Sequence, residues 1–248
     1  MQIYLACSKT MADCYNGPEL PVTQPRFLKQ AEAIADDLNK YSASELQNIL
    51  HVNASLATLN KARLMDLGNP HNSLPAIMAY TGTAFKAFRA SEMSLDDLQY
   101  ADSHILIGSF LYGMNRPFDI ISPYRLEGDV TLSVNGHDSL FDYWRPILTS
   151  WFIGEVRNDD GILLNLASNE YMKLLDWKRV CCELTVVTPQ FKVDFGDKLK
   201  TVALYAKMCR GAMARWVIDN RITNPDDIVA FTYNGFESHG KGLFVMTP

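Results

Sequence analysis

Short apolar runs of β-forming residues alternate with stretches of helical period along nearly the whole 248-residue chain, and this alternation constrains its fold more than any other feature. Gln2–Ala6 opens the series as a buried first strand that ends at polar Ser8-Lys9-Thr10. A loop with Gly17, Pro18, Pro21 and Pro25 separates it from a helical pattern over 26–40. Ser42 and Glu45 have the spacing of a capping box for a second helix, and a third over 55–67 is stopped by Gly68 and Pro70. Ser94 and Asp97 open a further helix that yields to a strand over 104–107. A helix over 140–152 carries Trp144 and Trp151 one heptad apart, hence on one side. A strand over 162–166 leads into Ser168-Asn169-Glu170-Tyr171, which reads as a helix start. The runs 182–187, 190–195 and 199–205 are rich in β-formers, 205–221 is helical, and β-like runs over 228–233 and 243–246 close the chain. The order predicts an α/β protein, with α+β as the alternative. It would be a compact single domain spanning 1–248, with a mixed central sheet surrounded by helices.

Composition narrows the class. With 48% hydrophobic residues and a formal charge of −5, the chain is globular rather than disordered or low-complexity. No stretch approaches the about 18 apolar residues of a membrane span, and the first residues lack the basic n-region of a signal peptide. A cytoplasmic protein without membrane contact is expected. Cys7, Cys14, Cys181, Cys182 and Cys209 form no Cys-x-x-Cys pair and read as reduced thiols, several of them in the core. The five histidines are dispersed, so neither a metal site nor a cofactor is expected.

The charge is uneven. Residues 1–172 carry a net −8, whereas residues 173–221 carry a net +5. On a helical wheel of the 205–221 segment, Lys207, Arg210, Arg215 and Arg221 flank Gly211 and Ala214, opposite Tyr205, Cys209, Ala212 and Trp216. Such a helix buries its aromatic face, and the small residues between the cations would let a phosphate backbone approach. An ordinary solvated face has the same pattern.

Three further segments have chemistry to offer. Ser8-Lys9-Thr10 ends the first strand, where α/β proteins keep ligand sites, and Lys9 with the Thr10 hydroxyl would clamp a phosphate or carboxylate. Arg116-Pro117-x-Asp119 and Pro123-Tyr124-Arg125-Leu126-Glu127 hold cations and acids in a proline-stiffened stretch, suited equally to binding or to stapling the loop. Glu170 falls in a first helical turn, which the macrodipole favours without any catalytic role.

These blocks, with Leu111-Tyr112-Gly113-Met114-Asn115, Asn165-Leu166-Ala167, Tyr205 through Gly211 and Asp219-Asn220-Arg221, resemble the YaaA family of bacterial peroxide-stress-resistance proteins over essentially the whole length. The resemblance implies a compact α/β fold with a positively charged cleft. It also implies survival of hydroperoxides by limiting free iron and its oxidative damage, and binding of duplex or branched DNA with a helix-hairpin-helix-like element. On this reading Lys9, Thr10, Arg116, Arg125, Lys207, Arg210 and Arg215 meet phosphates, with Glu127 and Glu170 as supporting acids. The alternative is an enzyme acting on a small phosphorylated or nucleotide-like substrate, with the same cations as clamp and Glu127 or Glu170 as acid/base. An iron-handling or protein-interacting factor is the third reading. Two departures stand out: Ala6-Cys7-Ser8-Lys9-Thr10 replaces the family's Ser-Pro-Ala-Lys-Thr, and Phe110 replaces the first glycine of its Gly-Leu-Tyr-Gly hairpin.

Overall fold

In the computed structural model, which describes residues 1–130 and 132–247, β1 (Gln2–Ala6) has Ile3, Tyr4 and Leu5 buried on both faces. Downstream lie α1 (Leu28–Asn39), α2 (Ala43–Ile49), α3 (Ala54–Met65), the two-residue β2 (Leu74–Pro75) and the short helices α4 (Ala76–Ala79) and α5 (Thr83–Phe88). The middle of the chain forms α6 (Leu95–His104), β3 (Ile105–Ser109), β4 (Gly113–Asn115), β5 (Ile120–Ile121), α7 (Leu140–Asp159) and β6 (Ile162–Asn165). The remainder forms α8 (Asn169–Met172), α9 (Trp177–Glu183), β7 (Thr185–Val187), β8 (Gln190–Asp194), β9 (Leu199–Lys200), α10 (Ala203–Asp219), β10 (Phe236–Ser238) and β11 (Leu243–Met246).

The main sheet has the order β4-β3-β1-β6-β7, parallel except for β4. Its central strands read as unbroken apolar runs because helices cover both faces of a parallel sheet. The chain adds β3 on one side of β1 and later β6 on the other, so the order reverses at β1. Beyond this lie a four-stranded sheet, β10-β11-β8-β9, and the pair β2-β5. The fold is thus mixed α/β, as the alternation predicts.

Local signals act where the sequence places them. Ser42 and Glu45 complete a reciprocal capping box on α2, and Ser94 and Ser139 cap α6 and α7. Trp144 and Trp151 both pack edge-on against Phe27, at 6.0 and 5.2 Å between centroids. Elsewhere the local reading is overridden. Cys181 and Cys182 lie in α9, which Asp176 caps, rather than in a strand; both are exposed, as is Cys14, and only Cys209 is fully buried. Residues 225–230 form a 3-10 helix instead of a strand, and α10 already begins at Ala203. α7 continues to Asp159, while no pattern in the sequence marks α4, α5, α9 or β10.

The face of α10 also differs from the wheel. Gly211 and Ala214 are buried, whereas Tyr205 is 38% exposed. The small residues receive a protein helix: a Cβ on Gly211 would lie 1.8 Å from the Ala84 carbonyl oxygen of α5. A wheel drawn from one helix cannot tell which neighbour its small residues admit.

Two glycine-to-alanine changes inside helices test this contact. Gly154 of α7 has nothing within 4 Å of an added Cβ, so Gly154→Ala stabilises by about 0.5–1 kcal/mol. Gly211→Ala adds the same methyl against backbone and costs about 1–3 kcal/mol or more. Urea titrations of the two variants should move in opposite directions.

Candidate anion-binding cleft

Because the strand order reverses at β1, a crevice opens beyond the carboxyl ends of β1 and β6, the usual ligand position in such sheets. Its volume is about 280 Å³. The floor is Ala6, Cys7 and Leu166, one wall is the start of α5, and the opposite rim carries Ser168, Glu170 and Tyr171. Lys9 and Thr10 extend from β1, and Lys207 and Arg210 reach in from α10. Ser8 Oγ accepts from the Gly82 N–H at 3.1 Å, holding the β1 extension against the start of α5.

Charge in the cleft is only partly compensated. Glu127 bridges Lys9 and Arg125, the latter at 2.8 Å. Burial raises the Glu127 carboxyl, but hydrogen bonds and charge from Lys9 and Arg125 bring it below its usual range. Glu170 accepts from the Gly128 N–H at 3.3 Å, joining the same segment to the rim. Lys207 and Arg210 form no ion pair among the described residues. Of the eleven arginines, nine pair with a carboxylate and Arg26 lies over the Trp151 ring. Among the described residues Arg210 alone has neither partner, although burial pulls its guanidinium down from its ordinary value. A desolvated cation without a counter-charge is costly, and an anion entering the cleft would relieve that cost.

The floor is held by a buried polar chain. Cys7 Sγ lies 3.2 Å from the Tyr171 hydroxyl and 3.5 Å from that of Tyr124, which also contacts Ser109 at 2.6 Å and Tyr80 at 3.1 Å. Burial pushes the Cys7 thiol up and the three phenols well above their usual range. These groups hold their protons at neutral pH, which makes Cys7 a poor nucleophile in this state.

Lys9, Thr10, Glu170, Lys207 and Arg210 therefore line one cleft, with Arg125 and Glu127 attached to it through Lys9. Arg116 does not join them. It follows β4, and the antiparallel return along β3 carries it to the opposite sheet edge. There it donates to Gln2 Oε1 at 2.9 Å, to the Ile105 carbonyl and to Glu155 at 2.7 Å. Arg215 is likewise engaged elsewhere: it pairs with Asp219 and donates to the Phe88 and Arg89 carbonyls at the end of α5. Arg221 lies past the helix end, bound to Asp96 and Asp97 over the Tyr100 ring. The turn at Phe110 is wholly buried, and the Trp144 indole donates to its carbonyl at 2.8 Å. It therefore offers no backbone to a phosphate. No sequence motif points to Cys7, Tyr171 or the α5 wall as parts of the site; α5's only local signal is Gly82-Thr83 followed by Phe85 and Phe88.

Fold and cleft define a single-domain α/β protein with an incompletely neutralised cationic crevice at its sheet switch point. The chain belongs to the family described as peroxide stress protein YaaA, which it matches over residues 1–241. A UPF0246 protein of Phocaeicola vulgatus is 45% identical over 238 residues, covering 95% of this chain and 93% of its own length. One from Bacteroides thetaiotaomicron is 43% identical over 238 residues (96% and 93%), and one from Porphyromonas gingivalis 39% over 255 residues (99% and 100%). No helix among the described residues is long and apolar enough to cross a membrane. None of their His, Cys, Asp and Glu side chains cluster in threes as a metal site would need.

The Arg116 turn has its own titration. Asp119 accepts from the Arg116 N–H and the Thr23 hydroxyl, each at 2.8 Å, yet burial pushes its carboxyl up to about 6. The folded protein thus keeps a proton that the unfolded chain releases near pH ~4. Stability supplied by this group is complete below that pH, is lost as pH rises to about 6, and changes no further above it. Denaturant titrations of Asp119→Asn across this window should show a flatter decline than the parent.

Proposed function

We propose that this peroxide-stress protein binds DNA, duplex or branched, by seating backbone phosphates in the cleft, and that this contact underlies its part in limiting iron-dependent oxidative damage. The observation that carries the reading is Arg210: a partly buried guanidinium on the cleft wall, with no carboxylate or ring partner among the described residues. Lys207, three residues earlier on α10, adds a second cation without an ion pair, and Lys9 and Arg125 share the single carboxylate of Glu127. A phosphate would supply the missing counter-charge.

The helix hairpin available for DNA on this reading is α2–α3, since the Phe110 turn is buried. The two helices are joined through His51, whose left-handed backbone (φ 50) makes the tight turn, and Asn53 caps an exposed first turn of α3. Asn60 of α3 exchanges two hydrogen bonds with the Arg125 backbone, at 3.0 and 2.7 Å, which ties this hairpin to the cleft rim. A second reading, a small phosphorylated or nucleotide-like substrate in the same cleft, is favoured by its modest volume and by the enclosed Cys7–Tyr171 floor.

Lys207→Gln with Arg210→Gln should weaken duplex binding and flatten its logarithmic salt dependence by up to about two units. Lys207→Gln alone, at an exposed position, should flatten it by about one. An unchanged affinity and slope would remove the assignment. Tight mononucleotide binding with little salt dependence would favour the second reading instead.

A further inference from the structure

Among the described Phe, Tyr and Trp side chains only two are exposed, and both fall in one short stretch of sequence: Phe195 (53%) in the β8–β9 turn and Tyr205 (38%) in the first turn of α10. Leu199 and Leu204, between them in sequence, are exposed as well. Exposed rings are costly for a domain with a large buried core, and clustered ones mark a contact surface. The stretch is also cationic. Lys200 Nζ lies 5.6 Å from the Phe195 ring centroid, Lys198 is more than half exposed, and Lys207 follows on α10. Of the acids nearby, Asp194 accepts from the Gly196 N–H within the turn and Asp197 pairs with Lys198 at 3.7 Å.

Tyr205 also edges an apolar recess of about 210 Å³, with Met208, Tyr233, Asn234, Phe236 and Met246 among its lining. It lies across α10 from Lys207 and Arg210. Three rings and two thioethers suit a planar aromatic group, and the Asn234 amide can both donate to and accept from its edge. Tyr205 and Lys207 are two residues apart on α10, about 3 Å of rise, but on opposite sides of it, so a strand stacked on Tyr205 reaches Lys207 and the cleft by crossing the helix.

We propose that the β8–β9 hairpin and the first turn of α10 bind unpaired nucleic acid, with bases stacked on Phe195 and Tyr205 and adjacent phosphates met by Lys198, Lys200 and Lys207. This rests on the reading of the cleft as a phosphate site. Rings alternating with lysines form the platform that single strands use. In a duplex the bases already stack on one another, leaving Phe195 and Tyr205 nothing to engage. In an isologous pairing of two copies, the same lysines would meet across the contact and repel.

The test measures fluorescence anisotropy of a labelled single strand of about 12 nucleotides and of its blunt duplex. Phe195→Leu, alone and with Tyr205→Leu, keeps the surface apolar but removes the rings. Because Phe195 is exposed, the single variant keeps its fold, checked by an unchanged melting temperature. Single-strand affinity should fall about tenfold in the double variant, while duplex affinity and both salt slopes stay as in the parent. Equal loss on strand and duplex, or no loss on either, would overturn the proposal. So would loss of a self-association seen for the parent by sedimentation, which would make the rings a contact between copies. The two readings separate cleanly: if the Lys207/Arg210 variant loses binding but the ring variants do not, the cleft reading stands and this one falls. If the parent binds neither oligonucleotide, both fall.

Discussion

The close approach of α10 to α5 at Gly211 determines what the rest of the cleft can be. With the Ala84 carbonyl 1.8 Å from where a Cβ would stand, no side chain fits there without moving one helix. That contact sets the rotation of α10, and the rotation sends Lys207 and Arg210 toward the carboxyl ends of β1 and β6. Arg215, one turn further along, closes the other end of the interface by donating to the last carbonyls of α5. Three cations of similar sequence context thus divide into one that holds the helices together and two that face the crevice.

The charge pattern follows the same economy. Arginine forks satisfy carboxylates and helix-end carbonyls throughout the molecule, and each such pair is part of the scaffold. Arg116 is the clearest example: it ties the starts of β1 and β3 to α7, at the sheet edge away from the cleft. Against that background Arg210, unpaired among the described residues, is informative because the protein has arranged partners for every other guanidinium. The neighbouring triad of Lys9, Glu127 and Arg125 leaves one carboxylate shared between two cations, so the whole rim has positive charge in excess.

Beneath the cations, the tyrosine–cysteine chain gives the crevice a rigid floor. Its members come from the residue after β1, the residue after α4, β3, the loop after β5 and α8, and each hydroxyl has a partner within the chain. The Cys7 thiol contributes a weak hydrogen-bonding atom to that floor.

Much of the fold was legible because it rests on local chemistry. Unbroken apolar runs at Ile3–Leu5 and Ile105–Ile107 mark parallel strands covered on both sides, and Ser42 with Glu45 marks a helix start through bonds made within four residues. Short or half-exposed elements such as α9 and β10 were not legible, since their few residues carry too little periodicity and are held by tertiary partners. For the cleft, the sequence by itself determined that Lys9, Glu170 and the α10 cations follow strand ends or occupy a basic helix. Only the tertiary structure decided which of them meet. The antiparallel return of β4 took Arg116 to the far sheet edge, and packing on α5 covered Gly211 and engaged Arg215. Periodicity reports that a helix has two faces, but which face meets solvent depends on a neighbour distant in sequence, and that information resides only in the packed chain.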